Sequence, residues 1–194
     1  MRVFIVYCHP NKDSFTHKIY ESFKKGLLAA GHELIVSDLY EMGFVTDMSE
    51  EEYLRETYYR TELPIPADVR AEQEKIEVCD GIVFIYPVFW TEAPAKLVGW
   101  FDRVWTAGYA YADCNMKPLD KAMFLACAGK TMQSLDETGN RLALETVMLG
   151  DRINQRAKEK SMVIFDGISH YDEELRERLI PVHIEKAYRL GLEF

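Results

Sequence analysis

His9, Ser14 and Thr16 follow a short apolar run, and their types suit one task together. Ser14 is a residue that caps helix starts, and a helix start carries unpaired backbone N–H groups with a partial positive charge. A phosphate docks at such an end, and His9, Ser14 and Thr16 add side-chain donors. The plain alternative is a helix cap and nothing more. A second group, Val88-Phe89-Trp90, also follows a buried run. Loop tips are usually polar, so these side chains either fill core or a subunit contact, or face a flat apolar ring. In a third segment, Ala128–Gln133, Gly129 stands beside Lys130 and Thr131. Glycine permits close backbone approach to a ligand, or simply an ordinary turn. Neither G-x-x-x-x-G-K-[ST] nor G-x-G-x-x-G occurs, which argues against a P-loop and the dinucleotide fingerprint.

These groups act together only if the elements before them run side by side. Val3–Tyr7 and Gly81–Tyr86 are dense apolar runs that suit strands buried on both faces. Leu34–Val36, Lys121–Cys127 and Ser161–Phe165 complete five expected strands. Phe15, Ile19, Phe23 and Leu27 recur every four residues, one helical stripe that Gly31 ends. Pro94, Leu97, Val98, Phe101, Val104 and Trp105 mark another helix. Residues 138–158 are expected to hold a further helix, and 172–190 a last one that Pro181 breaks or kinks. Residues 40–70 read as an irregular insertion with short helices near Ser49–Tyr59 and Ala67–Cys79. Strands alternating with helices, without hairpin signals, imply parallel pairing by right-handed crossovers. The expected fold is α/β: one domain over residues 1–194, a three-layer, doubly wound, five-stranded parallel sheet. Ligands bind such sheets outside the strands' C-terminal ends. The loops after strands one, three and four are the three segments above.

The 194 residues carry 23 basic and 32 acidic side chains, a net charge of −9. That sign disfavours nucleic acid and anionic membranes as partners. No run reaches the ~20 apolar residues that span a bilayer, and the start lacks the marks of a signal peptide. The four cysteines show no zinc-knuckle spacing. A reduced, cytoplasmic protein without membrane insertion is the expectation.

The segments H-P-x-x-x-S-F in His9–Phe15, Y-P-V-F-W in Tyr86–Trp90 and P-A-K-L-V-G-W-F-D-R-V-W in Pro94–Trp105 resemble the flavodoxin-like NAD(P)H:quinone oxidoreductases. That family includes quinone reductases, the modulator-of-drug-activity type and ancillary proteins of potassium efflux systems. Gly108-Tyr109-Ala110-Tyr111 is similar to its G-x-A-Y stretch. The resemblance implies a bound flavin, FAD or FMN, with NAD(P)H as reductant and a quinone-like acceptor. By motif position, His9, Ser14, Phe15 and Thr16 would hold phosphates. Pro87, Val88, Phe89 and Trp90 would flank the isoalloxazine ring. Amides of the loop holding Ala128 and Gly129 would meet the charge that the reduced ring gains. A ping-pong transfer of two electrons follows from one ring serving both substrates. The resemblance also implies a homodimer, with Trp100, Phe101 and the stretch near Tyr109 at the interface and Asp102 reaching the partner's cofactor.

The chain departs from the pattern after its fourth strand. Better-known quinone reductases carry T-T-G-G there, followed by a Tyr and a His near the flavin. Here the stretch is Cys127-Ala128-Gly129-Lys130-Thr131-Met132-Gln133. Either Gln133 or Lys130 supplies a donor instead, or the substrate differs. A regulatory flavin-binding partner of a membrane transporter and a flavodoxin-type electron carrier are the alternatives. Cys8 and Cys127 fall at strand ends, where burial as small apolar residues is the default and a redox role the alternative. His170 and His183 read as surface or helix-face histidines.

Overall fold

Stretches of β-branched and aromatic residues with no polar interruption can be buried on both faces, and this chain has three of them in its sheet centre. The computed structural model describes residues 1–194. Its strands are β1 (Arg2–Tyr7), β2 (Glu33–Asp38), β3 (Gly81–Pro87), β4 (Leu119–Cys127) and β5 (Ala157–Phe165). All pairs are parallel and the order is β2-β1-β3-β4-β5. The three central strands are the ones whose runs are most apolar. The order reverses between β1 and β3, which makes their ends the switch point.

Helices cover both faces. On one side α1 (Phe15–Ala29) and α7 (Glu173–Leu192) pack over Ile5, Tyr7, Val83 and Ile85. On the other, α3 (Ala67–Glu77) and α4 (Ala95–Val104) cover Phe4, Val6 and Phe84. The three-layer, doubly wound α/β fold is therefore as expected. The stripe Phe15, Ile19, Phe23 and Leu27 is the buried side of α1. Its end is a Schellman closure: His32 N donates to Leu27 O and Gly31 N to Leu28 O, each at 3.0 Å, with Gly31 at φ +81°.

Residues 40–70 hold α2 (Glu50–Thr57) and the start of α3, close to the expected ranges. Ser49 and Glu52 form a reciprocal capping box at the head of α2. Buried Arg103 of α4 ties this segment down. Its guanidinium donates to Glu52 at 2.8 Å, to Asp68 at 2.6 Å and to Val45 O at 2.7 Å.

Three expectations are corrected, and for Pro181 a break is ruled out. Instead of one helix over 138–158, α5 (Met132–Glu137), α6 (Asn140–Glu145) and a π-helical segment, Thr146–Ile153, lie in succession. Gly139 at φ +70° separates the first two. β5 starts at Ala157 rather than Ser161: Lys158, Glu159 and Lys160 are exposed at a sheet edge, and Ala157, Glu159 and Lys160 pair with β4. α7 runs unbroken through Pro181, which is exposed, so water can meet the carbonyl that the ring leaves unpaired. Trp100 and Phe101 are buried inside this chain rather than at a surface. Both join an aromatic cluster with Phe84, and Trp100 Nε1 donates to the buried Glu72 carboxylate at 2.8 Å. No helix is long and apolar enough to cross a membrane.

Candidate functional site

β1, β3 and β4 are neighbours, so the three loops at their C-terminal ends share one rim. Pairing continues past the strands. Cys8 N donates to Ile85 O at 3.0 Å, Val88 N to Cys127 O at 2.8 Å and Ala128 N to Phe165 O at 2.9 Å. Each loop therefore leaves the sheet in fixed register.

The first loop is folded around Asn11. Its side-chain oxygen accepts the Asp13 amide at 2.8 Å, its carbonyl accepts Ser14 N at 3.3 Å, and its own amide donates to His9 Nδ1 at 3.0 Å. Ser14 Oγ accepts the His17 amide at 3.1 Å as the cap of α1, which leaves its O–H as a donor. Phe15 and Thr16 are buried side chains. Their amides, the first two of α1, make no hydrogen bond within the chain. What this loop presents is thus two helix-start donors and the Ser14 hydroxyl beside His9. Burial lowers the His9 pKa against the opposing contact with Asn11 O, which favours a neutral ring.

The second loop is a two-residue hairpin. Phe89 N donates to Glu92 O at 2.8 Å and Glu92 N to Phe89 O at 2.9 Å. A turn this tight, twisted to suit its strands, needs φ above zero at both central residues. Those residues are Trp90 at φ +52° and Thr91 at φ +65°. Asn-Gly would sit there without effort; a β-branched or bulky residue costs about 1–3 kcal/mol in that region. The strain holds Trp90 out, fully exposed, with Phe89 half-exposed behind it. Pro87 is buried as the last residue of β3.

Val88, Trp90 and Thr91 from this hairpin and Ala128, Gly129 and Lys130 from the third loop line one cleft of about 310 Å³, with Leu135 and Asn140. Gly129 has an ordinary φ, and a Cβ added there would meet only Ser169, at 3.7 Å or more. Nothing in the chain's own packing requires glycine at this position. Its bare backbone faces the cleft, and the Gly129, Lys130 and Thr131 amides have no acceptor within the chain. Thr131 caps α5 by accepting Ser134 N at 3.3 Å, and Gln133 bonds Glu137 at 2.8 Å.

The structure thus joins Val88, Trp90, Ala128 and Gly129 in one cleft. His9, Ser14, Phe15 and Thr16 stand together at the adjoining start of α1. Pro87 and Phe89 support the hairpin without lining the cleft. The β5–α7 loop is a fourth rim segment that the sequence reading passed over. Asp166 accepts the Met132 amide at 2.7 Å, and Gly167 N donates to Lys130 O at 2.9 Å. The signal was present, since this loop too follows a strand end. His183 is buried rather than surface-facing, its ring packed against Phe15 and Phe165. Asp102 is engaged by Arg152 at 3.0 Å. Burial pushes the Cys8 and Cys127 thiols up to about 12, so neither is a thiolate at neutral pH.

Comparisons with known proteins agree with this architecture. The family described as the flavodoxin-like fold matches residues 1–151. The solved NAD(P)H:quinone oxidoreductase from Methanothermobacter marburgensis is 41% identical, with 100% of this chain and 95% of that one covered and a TM-score of 0.91. NAD(P)H dehydrogenase [quinone] 1 of Rattus norvegicus is 33% identical over 136 residues, 63% of this chain and 49% of that protein. The chain spans about half the length of the rodent relatives it matches. An FMN-dependent NADH-azoreductase from Bacillus anthracis, solved with FMN, shares the fold at 16% identity and a TM-score of 0.68, with 98% of this chain and 100% of that one covered.

Proposed function

The chain belongs to the flavodoxin-like NAD(P)H:quinone oxidoreductase family, and on that premise we propose that it binds a flavin at the sheet rim and carries electron pairs from NAD(P)H to a quinone-like acceptor. The observation that carries this reading is the cleft between Trp90 and Gly129, next to two free amides at the start of α1. The residues present fit the group. A flat ring finds an aromatic face, a backbone without a Cβ and consecutive unpaired amides. A phosphate finds a helix start. When bound, the flavin supplies the hydride-accepting ring and the two-electron store.

The remaining work falls to this chain's own groups. The Phe15 and Thr16 amides donate to phosphate oxygens at an end of α1 whose macrodipole resembles about half a positive charge. His9, held at Nδ1 by Asn11, offers Nε2 as a further donor. The unpaired amides of Gly129 and Lys130, residues that line the cleft, would stabilise negative charge on a bound ring; being preorganised, they would need no reorientation. Trp90 would supply an aromatic face and exclude water. Burial keeps the two rim thiols protonated, so neither Cys8 nor Cys127 serves as a covalent nucleophile. NAD(P)H and acceptor take turns at one open cleft, in a ping-pong sequence.

The pattern of a homodimer belongs to the same proposal, with a second copy covering exposed apolar groups. Tyr53, Leu54, Tyr58 and Tyr59 stand exposed on and just after α2. The deciding experiment is an anaerobic absorbance titration of protein reconstituted with FAD or FMN. Bleaching by NADH or NADPH, and recovery with added benzoquinone, is the expected result. Flavin that no nucleotide reduces would favour a carrier or regulatory subunit, and failure to bind flavin would overturn the assignment.

A further inference from the structure

We propose that Asp166 is a positioning residue for the Ala128–Met132 segment and that His183 fixes Asp166 from behind. The inference rests on the flavin reading above only for what that segment acts upon. The segment is stitched to the start of the β5–α7 loop by four bonds. Ala128 N to Phe165 O (2.9 Å), Ile168 N to Ala128 O (3.2 Å) and Gly167 N to Lys130 O (2.9 Å) are backbone bonds that almost any sequence would make. The fourth is different in kind. The Asp166 carboxylate accepts the Met132 amide at 2.7 Å, a charge-assisted bond at the start of α5. Asp166 and the Thr131 cap together satisfy two amides of α5. The three amides just before Met132 have no acceptor within the chain.

His183 explains why Asp166 stays where it is. Its Nε2 lies 3.0 Å from Asp166 O and 4.0 Å from Asp166 Oδ1. The ring sits against Phe15 at 5.9 Å and Phe165 at 5.5 Å between centroids. One buried imidazole thus touches the phosphate-facing start of α1 and the residue that holds the third loop. The arrangement is costly. With Nε2 donating to Asp166 O, Nδ1 is a buried acceptor without a partner. Such an atom carries a desolvation penalty that a leucine or phenylalanine at 183 would avoid. Burial alone therefore does not account for histidine here, and the grip on Asp166 does.

The test uses the full chain and four variants. Amide exchange at Met132 reads the position of the segment without flavin, and the flavin midpoint potential reads its effect on charge in the cleft. Asp166→Ala is expected to speed Met132 exchange at least tenfold. It is also expected to weaken retention of reduced relative to oxidised flavin tenfold, a potential about 30 mV lower for two electrons. Asp166→Asn keeps an acceptor oxygen and should stay within threefold of the parent in exchange. Ser22→Ala, which removes the 2.7 Å bond from Ser22 Oγ to Ile184 O between α1 and α7, should lower stability and leave both readouts alone. Unchanged Met132 exchange in Asp166→Ala overturns the proposal, as does a Ser22→Ala shift of equal size. If Asp166→Ala does not fold, His183→Phe takes its place, and exchange within threefold of the parent overturns it. If the parent retains neither FAD nor FMN, the functional reading falls, and Met132 exchange alone decides the role of Asp166.

Discussion

Gly26 of α1 lies so close to Gly191 of α7 that a Cβ on Gly26 would stand 3.0 Å from the Gly191 Cα and 2.1 Å from Tyr188 O. Backbone meets backbone there, with no flexible side chain to give way. The contact sets how near α7 approaches α1, and with it the reach of His183 to Phe15. Gly26→Ala should destabilise the protein by roughly 3 kcal/mol, the upper part of the overpacking range. Urea unfolding midpoints measure this, and a change below about 1 kcal/mol would show that the helices can part.

Gly129→Ala should behave in the opposite way. A methyl there meets Ser169 only at ordinary contact distance, so stability should stay within about 0.5 kcal/mol of the parent. Flavin affinity should fall about tenfold, because the added group keeps the ring off the backbone donors. Equal affinity measured by fluorescence titration would remove Gly129 from the binding surface.

The Trp90–Thr91 turn allows strain and contact to be separated. Thr91→Gly relieves a β-branched residue at φ +65° and should stabilise the fold by about 1 kcal/mol. Trp90→Ala removes an aromatic wall and should weaken flavin retention. A melting curve and a flavin titration on each variant test both statements; retention unchanged in Trp90→Ala would place the ring elsewhere.

His9 makes stability depend on pH with a definite sign. Its folded pKa is lowered from 6.5, mainly by burial, so the unfolded chain binds the extra proton first. Stability therefore rises with pH across the interval below 6.5 and is lost on acidification. His9→Gln should flatten that part of the profile. Identical slopes for parent and variant between pH 5 and 7, roughly one unit either side of the ordinary histidine range, would contradict this.

Arg103 should be among the least replaceable side chains outside the rim. It is buried with partners on α2 and at the head of α3, and Arg103→Ala would leave Glu52 and Asp68 without a cation. A loss of about 2 kcal/mol is expected when two half-buried carboxylates lose their charge-assisted partner. Loosening of residues 45–68, read by proteolysis, should accompany it.

The sheet was legible because each of its three central strands holds an unbroken apolar run, Val3–Tyr7, Gly81–Tyr86 and Ala122–Cys127, that ends near a turn signal. Helix α1 was legible from its stripe, its Ser14 cap and Gly31. The strand-end rule also led to the three loops, which do share a rim. What escaped notice did so for physical reasons. Charges at 158–160 disguise half a strand, because an edge needs burial on only part of its surface. A π-helical segment bonds i to i+5, so its side chains do not repeat with the α-helical period by which helices are read from sequence. Trp100 and Phe101 look like interface residues until Glu72 and the Phe84 cluster are seen to claim them. The part of Asp166 was hidden because its partner is a backbone amide 34 residues away.

The charged half of β5 has a further consequence. The outer edge of the sheet is open there, and a strand from another chain could in principle extend the ladder. Any strand arriving beside Lys158, Glu159 and Lys160 would have to strip water from the alternating charges, and Lys158 and Lys160 are already committed to Asp120 and to the carbonyls of Leu149 and Asn154. Such an edge is a poor template for aggregation. The residues that obscure the strand in the sequence are the ones that protect its open edge.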